Sequence, residues 1–283
     1  MHSGPGHFRI VEKIGEGGMG QVYRGLDTLL EREVAIKRLR EDLARKPDLV
    51  ERFKREAVAL ARLNHPNIVT LYSLLPEGES LYMVLEYMRG ETLDALLARR
   101  GRLPWQEAVA LATQALRGLE HAHQMHVIHC DVKPANALVS AGGQLKLMDF
   151  GIARILSMAR LTRVGMVVGT LEYMAPERLE GAEASARSDL YSVGMMLFEL
   201  IAGRLPFEAN TDVELISARL RQRVPALAEL GAQVPPALEA VLRRALAPAP
   251  NQRYATAAEF ADALSAIAHA APPAAPPRPG RAA

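Results

Sequence analysis

The run His129-Cys130-Asp131-Val132-Lys133-Pro134-Ala135-Asn136, followed by Asp149-Phe150-Gly151, gathers groups suited to one kind of chemistry. Asp131 can orient a hydroxyl, Lys133 can hold a phosphate, and Asn136 and Asp149 offer the hard oxygen donors that magnesium requires. Phosphoryl transfer is the reaction these groups share. Near the N-terminus, Gly15-Glu16-Gly17-Gly18-Met19-Gly20 fits G-x-G-x-x-G, a pattern that also opens dinucleotide-binding folds. In those folds the last glycine leads into a helix. Here Gln21-Val22-Tyr23-Arg24 reads as a strand, so the loop joins two strands and can fold over a phosphate chain, with Gly17 and Gly20 admitting a close backbone approach. An ordinary glycine-rich hairpin fits the same residues. Val34-Ala35-Ile36-Lys37 ends an apolar strand on a lysine, a placement that is costly unless an anion pairs with it. Glu56, on the next helix, and a phosphate are both candidates.

The elements that must position these groups follow from periodicity. FRIVEKIG from Phe8, QVYRGL from Gln21 and EREVAIKRL from Glu31 predict three antiparallel strands, and Leu49 to Leu63 a helix with Val50, Phe53, Ala57, Leu60 and Ala61 on one face. Strands at Ile68 to Leu75 and Leu81 to Leu85 complete a small lobe. Helices are then expected at Thr92 to Ala98, Trp105 to Gln124, Ala186 to Ala202, Asp212 to Arg221, Pro236 to Ala247 and Ala257 to Ala268. A hairpin, Ala137 to Ser140 and Gln144 to Met148 around Ala141-Gly142-Gly143, carries the candidate chemistry.

The 283 residues fit one large domain or two lobes around a cleft, and 34 Lys+Arg against 32 Asp+Glu leave a net charge of +2. That balance argues against a nucleic-acid or membrane-surface partner. One cysteine excludes an intramolecular disulfide framework, the first residues lack the apolar core of a signal peptide, and Leu190 to Ala202 is too short to cross a bilayer. A cytoplasmic location is the expectation. The proline-rich stretch from Ala271 onward reads as extended or disordered, either a solvated terminus, a linker, or a docking peptide.

The motifs resemble the eukaryotic-like (Hanks-type) serine/threonine protein kinases, in particular their bacterial members. The resemblance runs from Gly15 to about Ala268 and is carried, in family order, by the glycine loop, Val34 to Lys37, His129 to Asn136, Asp149 to Gly151, Gly169 to Glu177 (GTLEYMAPE) and Asp189 to Gly194 (DLYSVG). It implies an α+β, bilobal fold: a five-stranded antiparallel sheet with one helix over 8–88 and a larger, mostly helical lobe over 89–270, flanked by an extension at 1–7 and a tail at 271–283. It also implies ATP and Mg²⁺ as cofactors and Ser/Thr acceptors in protein substrates, with self-association for autophosphorylation. By the same resemblance Lys37 contacts the α- and β-phosphates and pairs with Glu56, Asp131 takes or orients the hydroxyl proton, and Lys133 stabilises the transferring phosphate. Asn136 and Asp149 bind the metal. Ile14, Gly15, Glu16, Gly17, Gly18 and Gly20 form the nucleotide loop, Val22 and Ala35 cover the adenine, Leu85 is the gatekeeper, and Glu86-Tyr87-Met88 form the hinge. Thr170 supports Asp131, Glu177 pairs with Arg253, and Asp189 braces the catalytic loop. Ile152 leans toward threonine acceptors.

The sequence departs from the family pattern at Cys130, where an arginine commonly clasps a phosphate on the following loop. Cysteine cannot make that contact, so phosphorylation of Thr162 or Ser157 is expected not to act as a strict on-switch. Two alternatives to an active kinase share parts of the pattern: a nucleotide-binding scaffold without catalysis, and a small-molecule phosphotransferase. The scaffold is disfavoured because every catalytic group is present, and the phosphotransferase because Gly169 to Glu177 resembles a peptide platform. His121, His123, His126 and His129 beside Cys130 resemble a metal cluster, but His121 and His123 diverge on a helix.

Overall fold

The computed structural model describes residues 4–17, 20–39, 46–78, 80–150, 171–207, 211, 214, 217–219 and 224–270. Strands β1 (Phe8–Glu16), β2 (Gly20–Asp27), β3 (Arg32–Leu39), β4 (Leu71–Glu77) and β5 (Ser80–Glu86) form an antiparallel sheet in the order β1-β2-β3-β5-β4. Strand alternation separates its two faces. On β3, Val34 and Ile36 enter a core with Phe8, Ile10 and Val84, while Ala35 and Lys37 turn to the opposite side, toward the cleft. Helix α1 (Pro47–Ala61) starts on a proline that tolerates the first helical position, and it seats Phe53 and Ala57 against Leu39, Leu81 and Met83.

The larger lobe is helical. Helices α2 (Leu93–Arg100), α3 (Trp105–Gln124), α4 (Pro176–Leu179), α5 (Ala186–Ala202), α6 (Pro236–Ala245) and α7 (Ala257–Ala270) surround one extended apolar core. Helix α5 is buried on nearly every side, which explains why its sequence is almost uniformly apolar rather than striped. A reciprocal Ser185–Ser188 capping box starts it, and Gly203, at φ 76°, ends it in the left-handed conformation that glycine adopts without strain. This is the two-lobed α+β architecture expected from the sequence.

Two differences bear on the site. The strand expected from Ile68 begins only at Leu71, because the preceding residues bond across to the other lobe: Leu147 N–H donates to Asn67 O (2.8 Å) and Val69 N–H to Leu147 O (2.9 Å). The expected hairpin, β7 (Ala137–Val139) and β8 (Leu145–Leu147), gains a third strand, β6 (Glu91–Thr92), paired to β7. The first feature ties the small lobe to the hairpin that carries the candidate chemistry, and the second ties that hairpin to the start of the large lobe. Of the helix expected over 212–221, residues 214 and 217–219 are helical and the others lie outside the described residues.

Candidate active site

A cavity of about 640 Å³ separates the sheet from the catalytic hairpin, a size suited to a small-molecule ligand. From the small lobe it is lined by Ile14, Gly15, Glu16 and Gly17 at the end of β1, by Val22, Ala35 and Lys37, and by Leu85 to Met88 where β5 leaves the sheet. Leu138, Met148 and Asp149 line it from the large lobe. An apolar slot therefore leads to a charged end. Gly20 does not line it: a Cβ there would stand 2.4 Å from Arg38 O, so this glycine serves the approach of β2 to β3. Gly17 N–H closes the turn onto Gly20 O at 2.8 Å. Gly18 lies outside the described residues.

Lys37 sits at the charged end, its Nζ 3.0 Å from Glu56 Oε1 and 2.7 Å from Asp149 Oδ1. Glu56 stands behind it on α1, buried and outside the cavity wall. Burial alone would pull the ammonium pKa down, but Asp149 and Glu56 outweigh it and the net direction is upward. One cation faces two carboxylates, and they respond differently. Burial pushes Glu56 up to about 7 despite Lys37. At Asp149 burial also acts upward, yet Lys37 prevails and the net direction is downward. Lys37 thus offsets burial at Asp149 but not at Glu56.

The catalytic loop adjoins this group. Lys133 Nζ lies 2.8 Å from Asp131 Oδ2, and Asn136 Nδ2 donates to the same oxygen (2.9 Å) and to Asp131 O (2.8 Å). With Nδ2 turned to Asp131, Oδ1 is the Asn136 atom able to meet a cation. Asn136 is joined to the Asp149 segment by Met148 N–H donating to Asn136 O at 3.0 Å. Two residues here, Cys130 (φ 69°) and Asp149 (φ 60°), adopt left-handed backbone, which costs a non-glycine residue free energy. Buried Asp189 holds the first: Cys130 N–H donates to its Oδ1, and His129 N–H and His123 Nε2 meet its Oδ2, each at 2.9 Å. His129 packs on buried Phe150 at 4.3 Å between ring centroids, and burial pushes its pKa down.

The protein kinase domain family matches residues 8–265 of this sequence. The chain belongs to that family. Among curated relatives it is 39% identical over 255 residues to the serine/threonine-protein kinase PrkC of Bacillus subtilis, covering 90% of this chain and 39% of PrkC. It is 37% identical over 286 residues to the serine/threonine-protein kinase PknA of Mycobacterium tuberculosis, covering 98% of this chain and 66% of PknA. The chain thus spans between about two fifths and two thirds of the length of these relatives. The crystal structure of the Mycobacterium tuberculosis PknI kinase domain superposes with a TM-score of 0.73 at 28% identity, covering 93% of this chain and 97% of that one.

Within this kinase domain several contributors were not singled out by sequence. Leu138 and Met148 line the cleft; the alternation of β7, with Ala137 and Val139 buried and Leu138 half-buried, is the signal that points Leu138 the other way. Arg219 is buried and donates to the carbonyls of Leu171, Glu172 and Met174 (2.8 Å to Met174), bracing the segment before α4. Nothing in its local pattern marks it. Arg253 forks onto Glu177 with contacts of 2.8 and 2.7 Å, the pairing implied by the family resemblance. The histidines do not converge: His121 stacks on His65 while His123 and His129 engage Asp189, and no metal-holding group of three or more His, Cys, Asp or Glu occurs among the described residues. No described helix is long and apolar enough to cross a membrane. Gly151, Ser157, Thr162, Gly169 and Thr170 lie outside the described residues.

Proposed function

We propose that this domain transfers the γ-phosphate of ATP to serine or threonine hydroxyls of proteins in a Mg²⁺-dependent reaction, and that it phosphorylates itself. The observation that carries the reading is the Lys37 ammonium fixed between Glu56 and Asp149 at the head of the cleft, with Asp131 and Lys133 paired beside it. The apolar slot formed by Val22, Ala35, Leu138 and Met148 suits a flat base, and Glu86 to Met88 offer backbone groups along its edge. Lys37 would then meet the α- and β-phosphates. The donor set of a carboxylate and an amide oxygen fits a hard divalent cation, so Asn136 and Asp149 would hold Mg²⁺, which supplies neutralisation of phosphate charge.

Asp131 orients the acceptor hydroxyl and takes its proton as the hydroxyl oxygen bonds to the γ-phosphorus. The bond from that phosphorus to the β–γ bridging oxygen breaks, and ADP leaves with the electron pair. Lys133 offsets the charge of the transferring group. The small lobe, 8–88, and the large lobe, 89–270, act as the two jaws. Substrates are proteins, self-association serves autophosphorylation, and the domain works in the cytoplasm.

Control is proposed to depart from arginine-gated kinases. Cys130 offers no cation to a phosphate on the following loop, while Asp189 holds the backbone around it from inside the lobe, so phosphorylation of Thr162 or Ser157 is not a strict requirement for turnover. The test is intact-mass analysis of phosphatase-treated protein before and after Mg-ATP, with Asp131→Asn alongside and a generic protein acceptor present. Phosphate gained only with the parent chain supports the reading. Intact nucleotide binding with no phosphate on either the chain or the acceptor would sink it.

A further inference from the structure

A second concavity, of about 620 Å³, lies on the large lobe where α3 begins. Leu103, Ala232 and Ile201 form its buried floor, and Pro104, Trp105 and Val234 its walls. Trp105 is the only tryptophan in the sequence, and it is half-buried, packed on the core from beneath yet open to the groove. A proline beside an indole is the kind of surface on which extended proline-rich peptide stacks, because pyrrolidine rings in polyproline geometry lie flat on an aromatic face and lose little entropy on binding.

The chain itself supplies such a peptide, and two contacts show where it leaves the folded lobe. Helix α7 begins beside the C-terminal end of α3, where Ala258 N–H donates to Glu120 Oε2 at 2.9 Å, and beside the C-terminal end of α6, where Arg244 Nη2 lies 2.6 Å from Glu259 Oε1. It packs along both helices. A course parallel to α3 would carry α7 past Gln124 with nothing to lie against, so α7 runs back along α3 and forms a hairpin with α6. At 1.5 Å per residue, α7 rises about 18 Å from Ala258 to Ala270, and α3 about 22 Å from Glu120 back to Trp105. Ala270 therefore comes out level with the start of α3 and the start of α6. The groove is built at those two starts, from Trp105 on one side and Val234 on the other.

We propose that the proline-rich segment Pro272 to Pro279 docks in cis into the Trp105 groove. Residues 271–283 read APPAAPPRPGRAA, and polyproline geometry spans about 3.1 Å per residue, so the five residues before Pro276 can reach about 15 Å, more than the roughly 8–10 Å between packed helices. The docked segment fixes the direction in which the chain departs from the large lobe.

Because Trp105 is the sole indole, its fluorescence reads the groove directly. The full chain is compared with a chain ending at Ala270, where the packed core ends, and with a full-length variant carrying Pro272→Ser, Pro273→Ser, Pro276→Ser and Pro277→Ser; circular dichroism confirms equal folding. Expected are red-shifted emission and faster acrylamide quenching in both altered chains, with the parent spectrum regained when a synthetic peptide of residues 271–283 is added to the shortened one. Identical emission and quenching in all three chains would overturn the proposal. A parent spectrum that turns into that of the shortened chain on dilution would also overturn it, assigning the groove to the tail of a second copy.

Discussion

Replacing Asp189 by asparagine is expected to disable turnover while sparing nucleotide binding. Asp189 accepts three hydrogen bonds at 2.9 Å, one on Oδ1 from Cys130 N–H and two on Oδ2 from His129 N–H and His123 Nε2. An amide retains one acceptor oxygen, which best occupies the two-donor side and turns its NH₂ onto Cys130 N–H. Donor then faces donor. The lost charge-assisted bond and the orphaned buried amide together cost about 3 kcal/mol. Cys130 is held at φ 69°, and relaxing it returns about 1 kcal/mol of left-handed strain, leaving a net loss of about 2 kcal/mol with Asp131 rotated out of place. The checks are chemical denaturation, kcat on a protein acceptor and nucleotide affinity. Adding Cys130→Gly to Asp189→Asn should recover part of kcat, since glycine adopts that backbone without the anchor. Stability unchanged within about 0.5 kcal/mol together with wild-type turnover would refute the reasoning, and so would a loss of nucleotide affinity that matches the loss of rate.

Arg253→Met strips the partner from Glu177 and the donors from the carbonyls of Ala247 and Pro248; breaking a buried pair from one side costs about 3–5 kcal/mol, and a denaturation midpoint near that of the parent would contradict it. Cys130→Arg should create dependence on loop phosphate: a new charge-assisted contact of about 1.5–3 kcal/mol raises the ratio of phosphorylated to dephosphorylated turnover by roughly tenfold or more, and an unaltered ratio would count against the account of this position. His129 is buried with its pKa pushed down by that burial, opposed by Asp189, so the unfolded chain binds the proton more readily than the folded one. Stability is present above the unfolded histidine value and falls as pH drops below about 6.5, with a slope approaching about 1.4 kcal/mol per pH unit. His129→Gln should flatten that slope, as read by denaturation between pH 7.5 and pH 5.5.

Local pattern made much of this domain legible. The strands around Val34 to Lys37 and Leu81 to Leu85 and the long helices announce themselves by period, and the residues around Asp131 and Asp149 by chemical type, because those signals are carried by neighbours in sequence. The rest depends on contacts between distant residues. Strand β6 has only two residues, too few to show alternation, and exists because β7 offers an edge. Ile68 and Val69 are apolar enough to read as strand, but the backbone of Val69 and of the neighbouring Asn67 bonds to Leu147 on β8. Arg219 reads as a solvated helix residue until the carbonyls of Leu171 to Met174 are seen around it. Gly20 has a second reason to be glycine that its motif does not announce, since a Cβ there would stand 2.4 Å from the carbonyl oxygen of Arg38.

The backbone at the catalytic loop bears on why a cysteine can stand at position 130 at all. Neither Cys130 nor Asp149 is glycine, yet both lie in left-handed backbone, so each must be held there by something outside its own residue type. For Cys130 that hold is on its N–H, through Asp189, and for Asp149 it is the ion pair with Lys37 beside buried Phe150. Neither of these holds runs through the side chain at 130, which is half-buried and donates from its sulfur to Ile128 O at 3.5 Å. Exchanging that side chain is expected to alter how the loop meets a phosphate while Asp189 keeps its hold on the backbone before Asp131. On the proposed reading the departure at Cys130 bears on control rather than on chemistry, and this is why Cys130→Arg is expected to change the response to loop phosphate while Asp189→Asn changes the rate itself.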